Sequence, residues 1–152
     1  MVDLSLAKNR FDPVILQLIP HRPPMLLINR VESLDQTSSS AFVFIDSQAP
    51  FYEANLGVPS WIGLEYMGQT AALIAGFQLR EGLAKPHLGL LLGTRSYTAN
   101  STYFTPNTKL LVECRQLAVV GESLITFDCT IRDYPSGQQQ AQASLSVFRK
   151  PY

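Results

Sequence analysis

Near its middle the chain carries the segment Pro59-Ser60-Trp61-Ile62-Gly63-Leu64-Glu65-Tyr66-Met67-Gly68-Gln69-Thr70-Ala71-Ala72-Leu73-Ile74-Ala75-Gly76-Phe77. Between residues 54 and 79 the only charged side chain is that of Glu65. A helix that is apolar on nearly every side belongs in the interior of a protein, where other elements surround it. The segment therefore predicts a long buried helix that runs from about Ser60 to about Glu81.

Glu65 is the first candidate functional residue. Burial disfavours the charged form of a carboxyl group, so a lone carboxylate inside such a helix is suited to hold or release a proton. Such a group can serve in acid–base chemistry. The alternative is a structural role, in which Glu65 hydrogen-bonds Gln69 one turn further along the helix. We favour the acid–base role.

Length and composition bound the class of protein. The chain has 152 residues, of which 46% are hydrophobic, and this is enough for one domain, residues 1–152, with a substantial core. The 12 basic and 12 acidic side chains give a formal net charge of zero without a basic stripe, so nucleic acid is not an expected partner. Cys114 and Cys129 lie in strand-like segments without metal-ligand spacing, which predicts buried reduced thiols and no metal site.

Signals for export or membrane insertion are not recognisable in the sequence. The first ten residues contain no apolar stretch of the kind that a secretory signal requires. Glu65, Gln69 and Thr70 interrupt the apolar segment of the predicted central helix. No uninterrupted apolar run approaches the roughly 18–20 residues that span a bilayer. We therefore expect a soluble, cytoplasmic protein with no contact to a membrane.

The remainder of the chain predicts a mostly antiparallel sheet. A short helix is expected after Asp12, which is a suitable N-cap and is followed by proline at the first helical position. The segments with strand-like alternation and flanking turn residues are 25–34, 41–46, 88–99, 109–120, 123–133 and 140–149. This order predicts an α+β fold in which the sheet wraps around the central helix.

Two motifs resemble the FabA/FabZ group of 3-hydroxyacyl-[acyl-carrier-protein] dehydratases, whose fold is the hot dog. The segment from Ile19 to Val31 is similar to the Pro-His-Arg, Pro, Leu-Leu, Arg-Val pattern of that group. The segment from Pro59 to Gln69 is similar to the start of its central helix, where an Asp or Glu is catalytic and Met and Gln follow. The resemblance implies a single hot-dog domain.

The resemblance also implies an activity and partners. The activity is dehydration of a 3-hydroxyacyl thioester on acyl carrier protein to the trans-2-enoyl thioester, in fatty-acid, aryl polyene or polyketide-type synthesis. Neither a cofactor nor a metal is expected. The implied assembly is a homodimer, or a heterodimer with a related dehydratase, because hot-dog protomers of this group pair their sheets.

Dehydration requires removal of the α-proton, protonation of the leaving hydroxyl group and hydrogen-bond donors for the thioester oxygen. The resemblance makes Glu65 a catalytic residue. The helix start can supply the donors through its free backbone N–H groups, those of Ser60 and Trp61. The resemblance implies that the Ser60 N–H polarises the thioester carbonyl.

One departure from the family pattern concerns the second proton carrier. The group has a catalytic histidine fourteen residues before the acid, and that position holds Phe51 in this chain. Phe51, Tyr52 and Gln69 are expected substrate contacts. His21 is the better candidate to replace the missing imidazole, although a structural role for it stays open, whereas His87 is expected near the far end of the helix.

Two other functions therefore remain open. Hot-dog thioesterases resemble this site in using a helix acid and helix-dipole amides without a histidine. The chain could also be a non-catalytic acyl-binding subunit that partners an active dehydratase. One scaffold hosts several chemistries, so the fold does not choose among these functions.

Overall fold

The computed structural model describes the backbone of residues 10–85, 87–121 and 123–151, and the side chains of these residues other than 87–92, 95 and 151. Helix α1 spans Pro13–Leu18, and helix α2 spans Gly63–Arg80. The strands in chain order are β1 (Arg30–Leu34), β2 (Ser38–Ile45), β3 (Val58–Pro59), β4 (His87–Ala99), β5 (Tyr103–Phe104), β6 (Thr108–Val120), β7 (Leu124–Tyr134) and β8 (Gln139–Pro151).

Six strands form one sheet in the order β1-β2-β6-β7-β8-β4, and all of its neighbouring strands are antiparallel. The short strands β3 and β5, which the sequence did not predict, pair with each other. Strand β4 lies at one end of the large sheet, so within the described part of the chain it is paired on one side only. The predicted α+β architecture is confirmed.

Helix α2 packs against β2, β6 and β7 and supplies much of the core. Its buried residues include Tyr66, Met67, Ala71, Leu73 and Ile74. A 3₁₀ turn over Ser60–Ile62 precedes the helix, which agrees with the predicted start near Ser60. The predicted central helix is therefore confirmed, with its first turn wound more tightly than an α-helix.

Two glycines allow α2 to approach its neighbours closely. A Cβ atom at Gly76 would lie 2.0 Å from the carbonyl oxygen of Leu18, so α1 can cross α2 only where no side chain intervenes. A Cβ atom at Gly63 would lie 2.3 Å from the hydroxyl oxygen of Tyr97. The start of α2 is therefore pressed against β4.

The first predicted strand, residues 25–34, is only partly correct because β1 begins at Arg30. Residues 26–29 are all buried, so they lack the one-sided burial of an ordinary sheet strand. The N–H of Leu27 donates to the side-chain oxygen of Gln69 in α2 at 2.9 Å. Leu27 is thus tied to the helix, whereas the N–H of Asn29 donates to the carbonyl oxygen of Phe42 in β2 at 2.9 Å.

The two cysteines are unoxidised and buried, as predicted. Cys114 on β6 lies opposite Cys129 on β7, and burial raises the pKa of the Cys114 thiol. Among the described residues, no helix has the length and apolar character that crossing a bilayer would require.

Candidate active site

The structure brings two candidate residues from distant segments together. Glu65 lies in the first turn of α2, and His21 lies in the connection that follows α1. The Nε2 atom of His21 is 3.9 Å from the Oε1 atom of Glu65, and the two side chains are 30% and 42% exposed. This distance allows an ionic interaction but is longer than a hydrogen bond.

The exposure of Glu65 corrects the expectation that its carboxyl group is buried. Glu65 lies on the same face of α2 as Gly68, Ala72 and Ala75, all of which are only partly buried in the single chain. The opposite face of the helix is the one that packs on the sheet. Glu65 is therefore accessible from solvent.

Gln69 holds Glu65 in place. Its Nε2 atom donates to Glu65 Oε1 at 3.2 Å and to the carbonyl oxygen of Met25 at 2.8 Å, while its Oε1 atom accepts from Leu27 N–H. The side chain is fully buried. The hydrogen bond foreseen in the structural alternative is thus present, and Gln69 ties the carboxyl group to the segment that carries His21. Its role as a substrate contact stays a prediction.

The imidazole of His21 is partly removed from water. Burial lowers the pKa of His21, while Glu65 raises it in part and Arg22 lowers it further. The Nδ1 atom is buried and has no hydrogen-bond partner within the described chain. A histidine with a lowered pKa is neutral at neutral pH, so His21 is in the form that can accept a proton.

Arg22 fixes the backbone around His21. Its guanidinium group donates to the carbonyl oxygens of Leu16, Ile19 and His21 at 2.7, 2.9 and 2.7 Å. The first two contacts satisfy carbonyl groups near the C-terminal end of α1. The Pro-His-Arg motif therefore closes α1 and directs the chain toward Glu65.

The start of the central helix differs from the expectation in one respect. The Ser60 N–H donates to the carbonyl oxygen of Thr102 at 2.8 Å, so it is not available to a thioester oxygen in this conformation. The Ser60 carbonyl oxygen accepts from the Tyr97 hydroxyl group. The Trp61 N–H lies in the first turn, where N–H groups have no partner inside the helix, and it stays a predicted donor.

Phe51 and Trp61 form an exposed aromatic pair. Their ring centroids are 6.3 Å apart, and both side chains are exposed in the single chain. Phe51 has a φ of 67°, a left-handed conformation that is uncommon for a bulky side chain. The next residue, Tyr52, packs instead against the core. The roles of Phe51 and Tyr52 as substrate contacts stay predictions.

The side chain of His87 lies outside the described residues. In residues 10–85, 87–121 and 123–151, no group of three or more His, Cys, Asp or Glu residues is placed to hold a metal ion.

Comparison with known proteins identifies the family. The model of the ApeP-like family, described as ApeP dehydratase, matches residues 13–151. The chain belongs to the ApeP-like dehydratase family. A curated relative, the 3-hydroxyacyl-[acyl-carrier-protein] dehydratase FabZ of Anaeromyxobacter dehalogenans, is 31% identical in an alignment 99 residues long that covers 61% of this chain. The chain spans 64% of the length of that relative. The predicted FabA/FabZ-like resemblance is confirmed.

Solved structures confirm the hot-dog fold. The dehydratase heterocomplex ApeI:P from Xenorhabdus doucetiae matches with a TM-score of 0.77 at 22% identity, over 91% of each chain. A hypothetical thioesterase with coenzyme A from Streptococcus pneumoniae matches with a TM-score of 0.62 at 10% identity, over 81% of this chain and 88% of the other. At identities this low, the matches show a shared fold, and the chemistry has to be argued from the residues of the site.

Proposed function

We propose that the chain dehydrates 3-hydroxyacyl thioesters and that His21 replaces the family histidine missing at Phe51. The observation that carries this proposal is the 3.9 Å separation between His21 Nε2 and Glu65 Oε1. An imidazole and a carboxyl group held side by side provide the two proton carriers that dehydration needs. Catalytic contacts are often loose before substrate binds, so this separation suits the unliganded state.

We assign removal of the α-proton to the neutral imidazole of His21, and delivery of a proton to the leaving hydroxyl group to the carboxyl group of Glu65. The C–H and C–O bonds break, the α,β double bond forms and water leaves. The Trp61 N–H donates to the thioester oxygen as it gains negative charge. A single turnover leaves His21 protonated and Glu65 ionised, and a proton transfer between them resets the site.

The substrate is proposed from the relative and from the aromatic pair. FabZ, by its name, acts on acyl groups of acyl carrier protein, and we propose the same carrier with its phosphopantetheine-linked chain. The rings of Phe51 and Trp61 form an apolar surface, and the ring of Phe51 carries no hydrogen-bonding group. This surface suits a flat or apolar acyl chain, as in fatty-acid, aryl polyene or polyketide-type synthesis.

Turnover of 3-hydroxyacyl thioesters tests the proposal directly. We expect the wild-type protein to form the enoyl thioester without release of free thiol. The absorbance of the enoyl thioester measures its formation. Release of thiol from acyl thioesters would instead identify a thioesterase, the function that the hot-dog neighbours leave open. Absence of both products across acyl lengths and aryl polyene substrates would favour a non-catalytic binding subunit.

We propose that the active form is a dimer, either of two copies or of this chain with a related dehydratase. Strand β4 is paired on one side only in the described structure, and an unpaired edge of this length is a template for another strand. The face of α2 that carries Glu65 is also incompletely covered. A second protomer would cover both features, and the complex ApeI:P is by its name a heterocomplex.

Light scattering at micromolar concentration checks the assembly. We expect a mass of twice the 16.9 kDa of one chain. A monomer that stays monomeric when mixed with a related active dehydratase would contradict the proposal. A monomer that forms a dimer only in that mixture would identify the heterodimer.

A further inference from the structure

The start of the central helix is held by one segment, which runs from the end of β4 into the following loop. Tyr97 in β4 donates through its hydroxyl group to the Ser60 carbonyl oxygen. Thr102, in the connection between β4 and β5, accepts from the Ser60 N–H. Both backbone polar groups of Ser60 are therefore bound to residues 97–102.

The contact with Tyr97 leaves little room for movement. A Cβ atom at Gly63 would lie 2.3 Å from the Tyr97 hydroxyl oxygen and 2.9 Å from side-chain atoms of Ile131 and Phe104. The hydroxyl group thus lies directly against the first turn of the helix. Burial raises the pKa of Tyr97 to about 12, so the hydroxyl group stays protonated and able to donate near neutral pH.

The Ser60 carbonyl group and the Trp61 N–H belong to the same peptide unit. A peptide unit is planar and, in the trans form, its C=O and N–H point in opposite directions. Binding of the carbonyl oxygen by Tyr97 therefore also sets the direction of the Trp61 N–H. A hydrogen bond to the carbonyl oxygen polarises the peptide and strengthens its N–H as a donor.

We propose that Tyr97 is a positioning residue, whose hydroxyl group orients the Ser60–Trp61 peptide so that the Trp61 N–H meets the oxygen of a bound thioester. This inference rests on the proposed dehydratase function. Tyr97, near the end of β4, would thus influence the reaction through the Ser60–Trp61 peptide, although it does not touch the reacting atoms itself.

The variant Tyr97→Phe removes the hydroxyl group and keeps the ring. We expect kcat for a 3-hydroxyacyl thioester to fall roughly 10-fold to 100-fold, because a misdirected N–H stabilises the negative charge of the thioester oxygen less well in the transition state. We expect KM to change less than about twofold, since ground-state binding of the acyl chain is unaffected. The control is Tyr134→Phe, which removes the same atom from a ring that packs on Phe42 and Lys109. Its kinetics should match those of the wild type.

Amide hydrogen exchange gives a readout that does not depend on activity. The Gly63 N–H donates to the same Ser60 carbonyl oxygen, so exchange at Ser60 and Gly63 reports the order of this turn. We expect exchange at both amides to be several-fold faster in Tyr97→Phe than in Tyr134→Phe.

Each outcome decides the inference. If the wild type is active and Tyr97→Phe has the same kcat, or if its loss lies in KM alone, the positioning role is overturned. If the wild type is inactive, the proposed dehydratase function fails, and exchange alone then tests Tyr97: unchanged exchange overturns its role in ordering the turn. A Tyr97→Phe protein that does not fold would show a general structural role and would also overturn the inference.

Discussion

Glu65→Gln should lower the turnover of a 3-hydroxyacyl thioester by about 100-fold to 10,000-fold, the range typical of a lost general acid or base. Glutamine has nearly the same shape, and its side-chain oxygen can still accept from Gln69 Nε2, as Glu65 Oε1 does at 3.2 Å. It cannot deliver a proton to the leaving hydroxyl group. Steady-state kinetics with thermal unfolding of the same samples measure the effect.

The matched control is Glu81→Gln, which makes the same chemical change just beyond the other end of α2. Glu81 interacts with Arg80 and is exposed, so turnover should stay at the wild-type level. Full activity of Glu65→Gln would instead leave Glu65 with only the structural role that its hydrogen bond with Gln69 allows. Equal loss in both variants would point to a general effect of removing negative charge.

His21→Ala should lower turnover by at least about 100-fold if its imidazole is the general base. The expected pH dependence follows from the lowered pKa of His21, whose ordinary value is 6.5. Wild-type turnover should rise with pH as the imidazole loses its proton, with the inflection below 6.5. The residual activity of His21→Ala should lack this rise. A pH–rate profile of both proteins measures the difference.

The lowered pKa of His21 also predicts how the stability of the fold depends on pH. Because the folded-state pKa of His21 is lowered, its contribution to stability is fully present above 6.5 and is lost as pH falls toward the folded-state value. That part of the pH dependence of unfolding should disappear in His21→Ala. Unchanged turnover at unchanged stability would assign His21 no catalytic role, and a loss of turnover explained by unfolding would assign it a structural one.

A double variant tests whether His21 stands in for the missing family histidine. Adding Phe51→His to the His21→Ala background should restore part of the lost turnover, since it returns an imidazole to the family position. Histidine is among the residues that tolerate the left-handed conformation found at Phe51, so the variant should fold. No recovery in a folded double variant would argue that Phe51 does not face the reacting groups.

Much of the fold could be predicted because it depends on local patterns. The apolar character of the segment around Glu65 requires a buried helix, whatever surrounds it. The alternation in the later strands likewise places one face inward, and it put Cys114 and Cys129 in the core. The motifs around His21 and Glu65 were sufficient for the family. These features follow from the spacing of residues that are close in the chain.

The site itself depends on contacts between distant segments, which local patterns do not encode. The sequence could not show that His21 lies beside Glu65, that Gln69 ties Glu65 to the stretch after α1, or that the Ser60 N–H donates to Thr102. The exposure of Glu65 was mispredicted for the same reason, because an apolar helix can leave one face uncovered. Which side of α2 meets the sheet is set by packing of the whole chain, and that packing leaves the carboxyl group of Glu65 accessible from solvent.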